Sequence, residues 1–474
     1  MRLPAVMAAG LCMAMPAIAD DPGWSALTRT DLQAIHDLIR DNHPGPVDPE
    51  NARFRAWLEA GLKQATTRAA EARTYFDYVR ALRFYTNGFQ DGHIGLGLEI
   101  TPVEQAWPGF IAGDSLDGAV EVIWADSNAG VRAGDRVLAC DGRGIDEWVK
   151  ERIDPYFWNS AIPHKRLEQV YRLFYAGAAD HSWQFSSCRF ASGVVPLAWK
   201  SVGRGEFQGI LETAWGESDW TPSLRQVGAL WIARIPTFDY PDDAAVAGIR
   251  SLLAELRSKS DVLRRSTIVL DVRANYGGNS EWGVEVAKAI WGTDLVDWVS
   301  DSFDETVDWR ASDRNIEHVE AVLARATAAG MAESISYYRR ALAVMKAARA
   351  ANRPLGRLED ERSPVATRPP GLLTGRVLFL TDGACASACL DFADLVLRLP
   401  GTMHVGLPTS ADTNYIDNSR AELPSGLSSL SYSMKVYRNR VRNNNEWYEP
   451  SIRWPGGAMT DAALANWLTE IAAQ

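Results

Sequence analysis

The sequence is short of positive charge, of cysteine and of long apolar runs. It carries 49 lysines and arginines against 60 aspartates and glutamates, a formal net charge of −11 at pH 7. Nucleic-acid binding needs a basic footprint, so no nucleic-acid partner is expected. Beyond the first residues no stretch is long and apolar enough to cross a bilayer, so no membrane span is expected. No internal repeat or low-complexity tract interrupts the chain. Hydrophobic residues make up 46% and charged residues 23%, the balance of a globular protein. A length of 474 residues suggests two or three domains.

What is present begins with MRLPAVMAAGLCMAMPAIAD. Arg2 is a short positive n-region, Leu3 to Met15 is mostly apolar, and Ala17-Ile18-Ala19 is a small-residue cleavage signal. The expectation is a secretory signal peptide over 1–19 and a periplasmic or secreted protein. Removing Cys12 leaves Cys140, Cys188, Cys385 and Cys389. An even number in an oxidising compartment permits disulfides, and Cys140–Cys188 with Cys385–Cys389 is one of three pairings.

From Asp31 to about Leu82 the apolar spacing is helical, with Leu32, Ile35 and Ile39 on one face and His43-Pro44-Gly45 as a stop. GFQDGHIGLGLEI follows, in which Ile94, Leu96, Leu98 and Ile100 alternate as in a strand, with His93 at its start. Short β-like runs and glycines fill about Trp107 to Lys200, including the Asp141-Gly142 turn. STIVLDVRANYGGN reads as a buried strand, Thr267–Val272, running into a double-glycine turn, and EWGVEVAKAIW as a helix. About Val296 to Leu373 reads as a mostly helical, polar insertion. GRVLFL is the next buried strand, and Ala386 to Leu399 the helix after it. This alternation argues for an α/β layer architecture.

The stretch TDGACASACLDFAD places Ser387 among small residues where a strand turns into a helix. Such a turn exposes a hydroxyl, and the first helical N–H groups are unpaired and can hold an oxyanion. Ser387 as a helix cap is the plainer alternative. The C-x-x-x-C pair Cys385 and Cys389 offers a rival, a redox or copper site that would need a further ligand such as His404. A serine nucleophile needs a base. His93 stands apart from the other histidines because a loop enters a strand there, and Lys435 is the only lysine after Ser387.

Three stretches, in order, resemble the S41 serine peptidases, the C-terminal-processing or tail-specific protease group. AGVRAGDRVLACDG is similar to the core of a PDZ domain, LDVRANYGG to the family's strand and Gly-Gly motif, and ACASACLDFA to its small-x-Ser-Ala nucleophile motif. The resemblance implies an α+β protein: an S41-type α/β catalytic core (crotonase/ClpP-like), a PDZ-like β domain and an N-terminal helical bundle. The implied division is 20–105 for the helical region ending in the His93 strand, 106–200 for the PDZ-like domain, and 201–474 for the catalytic core with its insertion at about 296–373.

One version of the family uses a Ser–Lys dyad with the lysine in a V-G-x-x-T-x-G-K-like stretch. Here VGLPTSAD puts Asp412 at that position, and an aspartate supplies neither the amine base nor the cationic donor. The tricorn-like version uses Ser, His and Glu. Asp91-Gly92-His93 matches its histidine stretch, and NNNEWYEPSIRW offers Glu446 as the acid, with Glu449 as runner-up. Pro450-Ser451 stands where the family often has Pro-Asp.

The implied function is a secreted serine-type endopeptidase acting through an acyl-enzyme. Ser387 is the expected nucleophile, His93 the base, Glu446 the orienting acid, and the amides of Ala388 and of Gly277 or Gly278 the oxyanion hole. Lys435 is the alternative base. The expected partner is a peptide or protein substrate; no cofactor and no metal is expected, and no oligomeric state is assigned. The alternatives are a non-catalytic peptide-binding protein on the same fold and the C-x-x-x-C redox or copper site.

Overall fold

The computed structural model describes residues 23–473, apart from 100–103, 116, 216–220, 241, 329–331, 360–366 and 457–458. The expected signal peptide and Ile100 lie outside the described residues.

The apolar runs of the C-terminal half build one six-stranded sheet, in the order Ser223–Val227, Leu230–Arg234, Thr267–Asp271, Arg376–Thr381, Thr402–Gly406, Ile452–Arg453. Only the first pair is antiparallel. Parallel strands are covered on both faces, which is why TIVLD and VLFL are apolar without alternation. Ile268, Leu270, Val377 and Phe379 face the core made with helices Asp243–Ser258, Glu281–Trp291 and Ala388–Val396. Val269, Leu378 and Leu380 face the other side, under helix Asp461–Ala472. The loops that follow Asp271, Thr381 and Gly406 therefore leave the carboxyl ends of three adjacent parallel strands, the usual place for a ligand crevice in such sheets.

A second sheet forms around the long strand Ser428–Arg438, which pairs with Gly95–Leu98, Thr306–Arg310 and Tyr415–Glu422; Leu355–Leu358 extends it beyond Thr306–Arg310. The N-terminal helices Trp24–Asn42, Ala52–Glu71 and Tyr75–Asn87 pack on this sheet through Leu32, Ile35, Leu58 and Leu82, in one core with Trp309, Leu430 and Tyr432. Thr74 and Asp77 close a capping box at the third helix. The segment read as a mostly helical insertion thus contributes two strands besides helices Asp313–Ala328 and Ala332–Ala350. Those strands are short and gain burial only by pairing with distant chain, so local periodicity does not disclose them.

Between these units, the described residues of 104–203 form three small sheets and two short α-helices, Ile145–Arg152 and Asp154–Phe157. Cys140 and Cys188 are directly opposite on paired strands and are joined by a disulfide. The stretch 156–181 is anchored here by fully buried Val170 and Leu173. No helix among the described residues is long and apolar enough to cross a membrane.

Candidate active site

The helix expected to begin at Ala386 begins at Ala388, because Ser387 is not helical: its backbone sits at φ 52°, ψ −123°. A non-glycine residue there is strained, and such strain collects at functional sites. The Ser387 side chain makes no capping bond, so the capping alternative fails. The amide of Ala388, first in the helix, donates to no group among the described residues.

The double glycine lies directly against this turn. A β-carbon on Gly277, at φ +101°, would come within 2.8 Å of the Ser387 Cβ and 2.9 Å of the Ala388 nitrogen. Any side chain at 277 would cover the amide, which is the physical reason for glycine there. Gly278, at φ +134°, has the backbone of Phe238 where a β-carbon would go, at 2.1 Å. The two expected amides differ. Gly277 N–H already donates to Asn275 Oδ1 at 2.9 Å, whereas the Gly278 amide donates to no group among the described residues.

Two residues that the sequence reading missed hold these loops together. Asn275 is fully buried, and its side-chain amide donates to Ile235 O at 2.9 Å. Asp382 accepts from the amides of Ala274 and Ala384, both at 2.9 Å, stitching the glycine turn to the serine turn. Burial pushes the Asp382 carboxyl up, against the pull of those two hydrogen bonds. Cys385 and Cys389, both fully buried, close a disulfide around Ser387. The sulfurs are thus not thiolates, and His404 accepts or donates a 2.7 Å hydrogen bond with Thr381 Oγ1 instead of meeting them, which removes the basis of the copper reading. Lys165 reaches in from the stretch 104–203, donating to Gly383 O at 2.8 Å and Ser410 Oγ at 3.2 Å.

His93 sits at the end of the third helix's exit loop, with its side chain 14% exposed. Its amide donates to Asp91 Oδ1 at 2.9 Å, its Nδ1 lies 3.9 Å from the same oxygen, and that Nδ1 is buried without a hydrogen bond. Thr413, from the loop that carries Asp412, donates to Asp91 Oδ1 at 2.8 Å. Asp412 itself pairs with Arg442 at 2.6 Å. Burial alone would raise its carboxyl; Arg442 and Arg440 overcome that and hold it low. No hydrogen bond joins His93 to Ser387; catalytic contacts are often long before substrate binds.

The structure does not bring the expected acids to His93. Glu446 is exposed, and its Oε2 accepts from Asn443 N at 2.7 Å and Asn443 Nδ2 at 2.8 Å. Glu449 is exposed too, 3.8 Å from Arg453. Lys435 lies in the second sheet, paired with Asp417 at 2.9 Å and hydrogen-bonded to the Tyr337 hydroxyl at 2.7 Å. Burial would lower it, but Asp417 and the surrounding tyrosines raise it well above the ordinary lysine value, so it stays an ammonium and no base.

No family model and no curated protein matches the sequence. Among solved structures the chain is similar to mature CPAF, at 13% identity and a TM-score of 0.60, with 94% of this chain and 96% of that chain covered. It is similar also to mature CPAF complexed with lactacystin, at 14% identity and a TM-score of 0.62, covering 94% and 98% of the two chains. The chain shares the fold of mature CPAF, an α+β architecture.

Proposed function

We propose that this protein is a serine peptidase that cleaves peptide bonds through an acyl-enzyme on Ser387. The observation that carries the reading is the strained Ser387 at a helix start, its neighbouring Ala388 amide unpaired and kept open by Gly277. In this reading the Ser387 hydroxyl attacks the scissile carbonyl, and His93 takes its proton and returns it to the leaving amine. The Ala388 and Gly278 amides receive the oxyanion. The fold, shared with a protein whose structure is complexed with lactacystin, and the S41-like motifs around Gly277 and Ser387 support the same class of chemistry. The leader-like first residues support secretion, to the periplasm or beyond, and the PDZ-like middle region supports grip on an extended peptide.

A non-catalytic peptide-binding protein is the second reading, favoured by the missing hydrogen bond between Ser387 and His93. A fluorophosphonate probe separates the two. Under the proposal it labels Ser387, read by intact mass and peptide mapping, and labelling vanishes in Ser387→Ala and His93→Ala. A wild-type protein that takes no label and turns over no casein is the binding protein.

A further inference from the structure

We infer that Asp91 is the carboxylate that positions His93 and stabilises its protonated form, with His43 fixing Asp91 from behind. This rests on the serine-peptidase reading and assigns a role in it that the sequence reading left to Glu446.

The geometry defines the proton positions. Gly45 N–H donates to His43 Nδ1 at 2.9 Å, so Nδ1 is an acceptor and the ring proton sits on Nε2. That Nε2–H donates to Asp91 Oδ2 at 3.1 Å. Phe54 stacks on the His43 ring at 4.6 Å, and Tyr415 meets it edge-on at 4.7 Å. Both the His43 and Asp91 side chains are fully buried. Burial pushes His43 down, more than the Asp91 contact restores, so it is neutral. Burial alone would raise Asp91, but the hydrogen bonds from the His43 ring and the His93 amide hold it below the usual carboxylate range.

Asp91 is thus a buried anion whose close partners are all uncharged donors: the neutral ring of His43, the amide of His93 and the hydroxyl of Thr413. A buried carboxylate without a cation is costly, and a proton arriving on His93 supplies one. Its Oδ1 is 3.9 Å from a buried His93 Nδ1 that has no other partner. A small rotation of the imidazole closes that gap. Asp412, from the loop after Thr402–Gly406, is the other carboxylate near His93. Its Oδ1 meets Arg442 at 2.6 Å and Arg440 at 4.0 Å, so two arginines answer its charge, while its Oδ2 is buried without a hydrogen bond among the described residues. Asp48, behind His43, is paired with Arg438 at 2.8 Å. Asp91 is a positioning residue: it acts through His93, whose Nε2 remains for the serine proton.

The test is the pH profile of kcat/KM for a chromogenic peptide or, failing turnover, of the rate of phosphonylation at Ser387. In Asp91→Asn the acid limb moves down by about one pH unit and the plateau falls about 10- to 100-fold, while Asp91→Glu restores part of both. A purely structural Asp91 would lower the plateau without moving the limb, and that result overturns the assignment. So does a limb that moves in Glu446→Gln and stays in Asp91→Asn. Should Asp91→Asn not fold, the crystal structure of the wild-type phosphonyl adduct decides: His93 Nδ1 within hydrogen-bond distance of Asp91 Oδ1 supports the inference, and Nδ1 on Glu446, or on neither, refutes it. A wild type that forms no adduct at all refutes the peptidase reading instead.

Discussion

The amide of Ala388 lies so close to Gly277 that a β-carbon on that glycine would stand 2.9 Å from its nitrogen. One hydrogen-bond donor is thereby kept open beside the candidate nucleophile by the absence of one side chain. Gly277→Ala is expected to slow phosphonylation of Ser387 by about 10²-fold, the usual cost of losing one oxyanion donor. The positive φ adds a stability loss of about 1–2 kcal/mol. Labelling kinetics on protein shown to be folded separate the two effects.

Ser387 itself stands at φ 52° without a compensating hydrogen bond of its side chain. Ser387→Gly should therefore raise the melting temperature, by a stabilisation of about 1 kcal/mol, while abolishing labelling. A site that gains stability when its nucleophile is removed is storing strain for function. An unchanged or lowered melting temperature would argue that the turn is relaxed.

The two disulfides should separate by loop length. Cys140–Cys188 closes a separation of 48 residues and Cys385–Cys389 one of 4. On the chain-entropy account they stabilise by about 4 and about 2 kcal/mol. Replacing Cys140 and Cys188 by serine should lower the denaturation midpoint more than replacing Cys385 and Cys389 by alanine. The second variant should still label at Ser387; loss of all chemistry would restore the thiol reading.

Lys435→Met should leave Ser387 labelling in place and cost about 3 kcal/mol of stability by leaving Asp417 without its cation. Labelling lost in a folded Lys435→Met protein would return Lys435 to the role of base.

Acid should loosen the central sheet through His404. Burial holds this ring at about 4, well below the ordinary histidine value of 6.5. The unfolded chain therefore takes up a proton below about pH 6.5 that the folded chain refuses until about pH 4, so stability falls as pH drops through that window. The expected loss between pH 7 and pH 5 is on the order of 2 kcal/mol. Urea midpoints at the two pH values should converge in His404→Gln.

Much of this site was legible because it depends on local chemistry. The strand read over Thr267–Val272 and the Gly-Gly turn after it follow from apolar runs and from the only residue that tolerates such a backbone; so does Ser387 among small neighbours. The acid could not be read in the same way. The resemblance to the tricorn-like version pointed to Glu446, but a glutamate's reach depends on a loop whose hydrogen bonds are tertiary, and here they go to Asn443. Asp91, two residues before His93, entered only as part of the stretch Asp91-Gly92-His93 that marks the histidine, and His43 only as part of a helix stop. Neither shows in sequence as a charge pair, because the contact spans 48 positions.

The amino-acid sequence by itself determined the layers. Unbroken apolar runs demand cover on both faces, and helical periodicity supplies the cover. It also determined where backbone must bend and where a hydroxyl would be exposed. The tertiary structure alone decided the electrostatics: which carboxylate lost its water, which cation answered it, and which was left facing an imidazole with only neutral donors around it. Burial sets those energies, and burial is a property of packing between distant segments rather than of any one stretch of chain.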